Sequence, residues 1–321
     1  MVASEISIVY VASISPNSPL CLVSLRTSAA IAGLYASPRP QHLGFEERKM
    51  SGGSRQGSGL WGGSPATLLR KVPVVEAAEG RLPVYTLTFA NPAGTEEAAA
   101  PGFGVRIDHG DTVKVCVPGY KPKSYSMSAC RAGEFDITFK VYPGGRASGY
   151  LDSLAVGGSM DCFAKGDKER SAGGAFVGLV AFGVGITEAM PLAAAELAKP
   201  DAASVRLLWC SKTRGDTFWL AQAAALAAAH PDGRFELVET FTREEVAGAR
   251  RGRVSPAVLA EVFDGAWGTG AGGANEGRRA EVRFLSVGTK AMMRELEAML
   301  GEIGYGMPGH ALLKKPGQGG L

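Results

Sequence analysis

Lys140-Val141-Tyr142-Pro143-Gly144-Gly145-Arg146-Ala147-Ser148-Gly149-Tyr150-Leu151 is the stretch on which the fold turns. It enters as the end of a strand predicted over 135–142, breaks at Pro143-Gly144-Gly145, and opens a short helix. Backbone N–H groups can approach a ligand closely at glycine, and a helix N-terminus favours negative charge, so the segment suits an anion. Taken alone, an ordinary β-turn with a capped helix accounts for the same residues. Its surroundings decide between the two.

Upstream, Val84-Tyr85-Thr86-Leu87-Thr88-Phe89 alternates as a half-buried strand does, and Asn91-Pro92 stops it. Further short strands are expected at 112–117, 123–128 and 159–164. Gly110-Asp111, Pro118-Gly119 and Pro143-Gly144-Gly145 supply turns. Short strands at this spacing predict a closed antiparallel β-barrel. Downstream the period changes. Residues 175–182 form a continuous apolar run, as a strand buried on both faces requires. Gly183-Val184-Gly185-Ile186-Thr187 follows, then a helix to about Lys199. Strands at 205–210, 235–241 and 282–287 alternate with helices at 218–229 and 291–303. That alternation predicts a parallel sheet with helices on both faces. The fold class is therefore a β-barrel plus α/β. The domains are expected at 72–170 for the barrel and 171–321 for the α/β half, the latter with a flexible glycine-rich surface insertion at 265–277.

The first 71 residues read as an N-terminal extension ending in a Gly/Ser linker at 52–65. The stretch to Met50 is Ser-rich, poor in acids and carries Arg26, Arg39 and Arg48, as transit peptides do. Two addresses stay open: an organelle (plastid or mitochondrion), or the cytoplasm if this is only an extension before Met50. Residues 6–25 are uncharged, but Pro16, Asn17 and Pro19 argue against a stable span. Membrane association through the N-terminus is left undecided.

Composition narrows the chemistry. The 321 residues are 45% hydrophobic and 20% charged, a globular balance, and the formal charge of +3 is too small for a nucleic-acid protein. The five cysteines form no C-x-x-C pair and the four histidines are isolated, so no metal site is expected. Electron transfer would need an organic cofactor.

The ordered motifs carry a resemblance. Lys123-Ser124-Tyr125-Ser126, the Lys140-Val141-Tyr142 strand, the Gly-Gly-Arg-x-Ser loop, Gly183-x-Gly185-Ile186-Thr187 and Val287-Gly288-Thr289-Lys290-Ala291-Met292 together resemble the ferredoxin reductase-type superfamily. Cytochrome b5 reductases are the family most similar. The resemblance implies an FAD-binding barrel followed by an NAD(P)-binding domain. Tyr125 would pack on the isoalloxazine, Ser126 would bond near flavin N5, and Lys123, Lys140, Tyr142 and the Gly145, Arg146, Ala147, Ser148 segment would complete the FAD site. Gly183, Gly185, Thr187, Gly288 and Met292 would hold the nicotinamide dinucleotide, with Ser126 and Thr187 beside the transferred hydride. Asp216 resembles the acid that accepts from a ribose hydroxyl, which tilts the choice slightly to NADH. Lys212 and Arg214 would instead suit a 2′-phosphate.

The activity so implied is transfer of a hydride from NAD(P)H to FAD and of electrons onward to a separate acceptor, a cytochrome b5-like haem protein or a small molecule. Lys123 stands for the usual arginine and Val184 for a hydroxyl residue, and two further departures weigh more: Glu188 stands for the usual proline, and Val287 for the usual cysteine. They motivate an alternative, a flavin- or nucleotide-binding regulatory or assembly subunit without turnover.

Overall fold

The computed structural model describes residues 63–91, 112–131, 133–165, 174–305 and 312–313. The expectations for the N-terminal 62 residues, for Gly110-Asp111 and for the tail from Lys314 lie outside these. All described residues belong to one contact unit, Glu47–Leu321.

Six antiparallel strands close a barrel in the order β1-β2-β5-β4-β3-β6. They are β1 (Ser64–Val75), β2 (Val84–Ala90), β3 (Thr112–Val115), β4 (Lys123–Arg131), β5 (Glu134–Lys140) and β6 (Ser159–Lys165). The interior is set by alternation: Ala66 and Leu68, Leu87 and Phe89, Val113 and Val115, and Phe135, Ile137 and Phe139 all point inward and are buried. Helix α1 (Arg146–Ser153) follows β5 and lays Leu151 against this core.

β1 begins earlier than the sequence suggests. It crosses both the expected Gly/Ser linker and the expected boundary at 72, and it closes the barrel by pairing Ser64–Thr67 with Ser159–Cys162. Pro65, Pro73 and the intervening cations hide the alternation, and register shifts at Leu68/Arg70 and Pro73/Val75 interrupt it.

The second layer is a parallel sheet ordered β10-β9-β8-β7-β11-β12. Its strands are β7 (Phe176–Phe182), β8 (Ser204–Ser211), β9 (Phe235–Phe241), β10 (Arg250–Arg251), β11 (Val282–Val287) and β12 (Leu312–Leu313). β7 is buried on both faces. Val177, Leu179 and Ala181 meet helices α2 (Ile186–Leu197) and α3 (Leu220–Ala228). Phe176 and Val180 meet α4 (Pro256–Leu259), its π-helical continuation Ala260–Gly265, and α5 (Lys290–Glu302). Val75 and Val84 of the barrel pack into the first of these cores, while the barrel's own interior is a separate cluster.

Most residues of the glycine-rich insertion at 265–277 are exposed, and it is anchored at one end. Trp267 is buried between the Phe263 and Phe176 rings (centroids 5.4 and 5.6 Å), and its indole N–H donates to Ser204 Oγ at 2.9 Å. Asn275 closes the loop by donating to the Trp267 carbonyl at 2.8 Å. A single buried indole supplies the anchor.

Candidate functional site

The turn between β5 and α1 is built around glycine. Gly144 sits at φ +68°, and the Gly145 N–H donates to the Tyr142 carbonyl at 2.9 Å. A Cβ on Gly145 would lie 2.3 Å from Ser148 Oγ and 2.9 Å from the Tyr142 oxygen, so no larger residue fits without moving the turn. Ser148 Oγ accepts from the Tyr142 N–H at 3.2 Å and donates to the Gly145 carbonyl at 3.4 Å, which locks it. The first N–H groups of α1 have no intrahelical acceptor, and its first turn holds no acid.

Cations and aromatics gather at this end. Arg146 lies over the Tyr120 ring at 4.4 Å. Lys121 and Lys123, at the start of β4, are exposed and form no ion pair among the described residues; Tyr142 is exposed as well. Tyr125, one strand over, is largely buried and meets Phe139 edge-on at 6.1 Å. Burial, reinforced by Tyr142 nearby, pushes its phenol up to about 12. Free cations, a glycine turn with open N–H groups and an exposed aromatic edge fit a dinucleotide: the turn and the cations suit its pyrophosphate, and the rings suit its flat heterocycles.

The parallel sheet changes direction beside β7, since β8 leads off on one side and β11 returns on the other. Ligands of such sheets bind at the carboxyl ends of the strands at this switch point. Two glycines let the chain pack closely here. A Cβ at Gly185 would meet the Val287 carbonyl oxygen at 2.7 Å, and one at Gly288 would meet the Phe182 ring at 2.6 Å. Gly183, at φ +55°, is anchored through its carbonyl by the Trp209 indole N–H at 2.8 Å. At the end of β8 the buried Ser211 hydroxyl has no hydrogen-bond partner among the described residues. A close-approach turn leading into α2 fits a second pyrophosphate.

The structure brings several sequence candidates together in unexpected pairs. Ser126 Oγ of β4 donates to Glu188 Oε2 in the first turn of α2 at 2.7 Å, both residues being buried. Lys140 Nζ of β5 donates to Asp216 Oδ1 at 3.1 Å. Asp216 does not face outward as a ribose reader would. It is 4% exposed and takes a second bond from Thr213 Oγ1 at 2.8 Å. Arg214 is engaged with Glu239 and the Phe241 ring, which leaves Lys212 as the exposed cation of that loop. Thr187 is buried and donates to the Val184 carbonyl at 2.9 Å, so its hydroxyl holds the turn. Val287 packs on Gly185, while Met292 is exposed in the first turn of α5.

Tyr305, at the end of the chain's last described helix, is not near this switch point. It packs on Phe284 and bonds Asp264 and Thr269 in the core beside the glycine-rich loop. Sequence reasoning missed Tyr120 and Lys121. Their signal was their position, between the Pro118-Gly119 turn and the Lys123 strand.

A closed antiparallel barrel followed by this parallel sheet is the fold seen in ferredoxin reductase-type structures. Residues 179–297 match the oxidoreductase NAD-binding domain family. The chain is similar to cytochrome b5 reductases. It is 28% identical over 180 residues to NADH-cytochrome b5 reductase 1 of Debaryomyces hansenii, covering 52% of this chain and 59% of that one. With the Dictyostelium discoideum protein of the same name it shares 31% over 142 residues, covering 40% and 47%. The chain thus spans about half the length of these curated relatives. Among solved structures, the cytochrome b5 reductase domain of Ulva prolifera nitrate reductase superposes with TM-score 0.57 at 18% identity, covering 76% of this chain and 94% of that one. A ferredoxin NADP+ reductase from Neisseria gonorrhoeae with bound FAD and NADP gives 0.56 at 17%, covering 76% and 92%. These last two are likenesses of fold.

Proposed function

We propose that the protein is an FAD-dependent NAD(P)H oxidoreductase that delivers electrons to a separate acceptor, a haem protein of the cytochrome b5 kind or a small molecule. Bound FAD would supply the hydride acceptor and release the electrons singly, chemistry the side chains do not have. One observation carries the reading. Ser126, the hydroxyl on the flavin-side strand, is bonded to the first turn of the helix that follows the nucleotide-side glycine turn. The two halves therefore converge on one point.

In this reading Lys123, Arg146 and the α1 N-terminus hold the flavin pyrophosphate, with Lys121 and Tyr120 beside them. Tyr125 and Tyr142 offer their ring faces. Gly183, Gly185 and Gly288 admit the second dinucleotide against the strand ends, and Thr187 keeps that turn in shape. Stacking the two rings with little freedom is the main catalytic contribution required of the protein. The names of the curated relatives favour NADH. A ribose-reading role for Asp216 requires the ribose to join or displace the Lys140 pair.

Anaerobic titration of the purified protein with NADH and NADPH in parallel tests this. A yellow protein bleached by either dinucleotide, at lower concentration by NADH, is expected. A protein that stays colourless after incubation with FAD overturns the reading. A yellow protein that neither dinucleotide bleaches selects the regulatory-subunit alternative, which the buried Glu188 carboxylate at the convergence point favours.

A further inference from the structure

Arg81 belongs to none of the sequence motifs. It lies at the tip of the β1–β2 hairpin of the barrel, yet its side chain reaches the parallel sheet. Gly80, at φ +70°, turns the tip, and Ala78 and Arg81 close it with backbone hydrogen bonds of 3.2 and 2.9 Å. The Arg81 Nε donates to the Glu76 carbonyl at 3.0 Å, which sets the direction of the side chain. Its guanidinium then lies against Gly215, where a Cβ would sit 2.3 Å from Nη1 and 3.6 Å from Cδ. Glycine at that position lets the guanidinium rest on the loop backbone. Among the described residues, neither Nη nitrogen of Arg81 has a hydrogen-bond or ion-pair partner.

Gly215 belongs to the turn Arg214–Asp216 that follows β8. In sheets of this kind the loop after the second strand is where the adenosine ribose is read. The loop itself offers few groups for that task. Asp216 is turned into the fold on Lys140 and Thr213, and Arg214 is paired with Glu239, which leaves Lys212 exposed. We propose that Arg81 is a specificity residue which, with Lys212, receives the 2′-phosphate that distinguishes NADPH from NADH. A guanidinium is suited to this, because its fork of N–H donors matches phosphate oxygens. The inference rests on the dinucleotide reading above and deepens it. NADH stays the tighter ligand, and Arg81 narrows its margin over NADPH. A residue of the flavin-side barrel thus takes part in the choice of nucleotide.

The test is calorimetric titration of the intact protein with two probes, adenosine 2′,5′-bisphosphate and adenosine 5′-monophosphate. Both carry the adenosine half alone, so they report on this loop without hydride transfer. Arg81→Gln should weaken the bisphosphate about tenfold, the worth of one charge-assisted hydrogen bond, and leave the monophosphate within about twofold. Arg81→Lys keeps the charge and should restore part of the loss. If Arg81 only props the loop, Arg81→Gln will weaken both probes alike, which overturns the proposal. An unchanged bisphosphate affinity overturns it too, and so does an Arg81→Lys protein as weak as Arg81→Gln. A wild-type protein that binds neither probe and is bleached by neither dinucleotide defeats the functional reading instead, so the two failures are distinguishable.

Discussion

Lys140 and Asp216 show how a residue's neighbours change its meaning. In the sequence they belong to different motifs, one assigned to the flavin and the other to the ribose. In the fold they form a pair with side chains 12% and 4% exposed. Removing one partner of a buried pair leaves an uncompensated charge, whereas replacing both with apolar groups is often close to neutral. Lys140→Met should therefore lower stability by about 3 kcal/mol in urea unfolding, and Lys140→Met/Asp216→Leu should recover most of it. If the pair only decorates the surface, the single variant will cost less than about 1 kcal/mol. Such pairings are not legible in sequence: Lys140 and Asp216 are 76 residues apart, and Ser126 and Glu188 are 62 apart. Glu188 was visible only as a departure from a motif. Its partner came from the fold.

At the scale of elements, legibility followed burial pattern. β9 and β11 have the limits expected of them, Phe235–Phe241 and Val282–Val287, because short segments rich in aromatic and β-branched residues favour strand over helix. β1 was only half legible, since a bulged barrel strand with exposed cations and two prolines does not alternate. The insertion carries a signal of another kind. Its glycines suggest a chain with nothing to bury, yet Trp267 is 5% exposed and joins the core on one face of the sheet. Trp267→Ala should cost about 3–5 kcal/mol, as loss of a buried large aromatic does, with the flavin spectrum unchanged because the indole lies in the core shared with Phe176, at the start of β7. Chemical unfolding monitored by far-ultraviolet circular dichroism checks the first part, and flavin absorbance checks the second. A cost below about 1 kcal/mol would mean that the indole does not anchor the segment.

Across the whole molecule, two layers with different folds keep separate apolar interiors, and titratable groups sealed in each layer set the limit of stability at high pH. Cys162 in the barrel and Cys210 in the sheet are both pushed up to about 12 by burial, with Cys116 and then Asp161 adding to the effect at Cys162. Tyr125 is raised to about 12 as well. For each, the protonated form is the one the fold accommodates. Below the ordinary thiol range both states keep the protons, and these groups make stability independent of pH. Above about 9 the unfolded chain releases thiol protons that the native protein retains, so the unfolded state binds fewer protons and stability falls as pH rises. Each thiol contributes up to about 1.4 kcal/mol per pH unit between about 9 and 12, and Tyr125 joins above about 10. Urea unfolding should thus show a plateau from these groups up to pH 8.5 and a decline from pH 9 to 10.5. Cys210→Val removes one of the two thiols, so its decline should be shallower by close to one proton's worth of slope. An identical slope in that variant would mean that Cys210 ionises in the native protein as it does in the unfolded chain. The sheet core around it, which also holds Phe176, Val180 and Trp267, would then admit water.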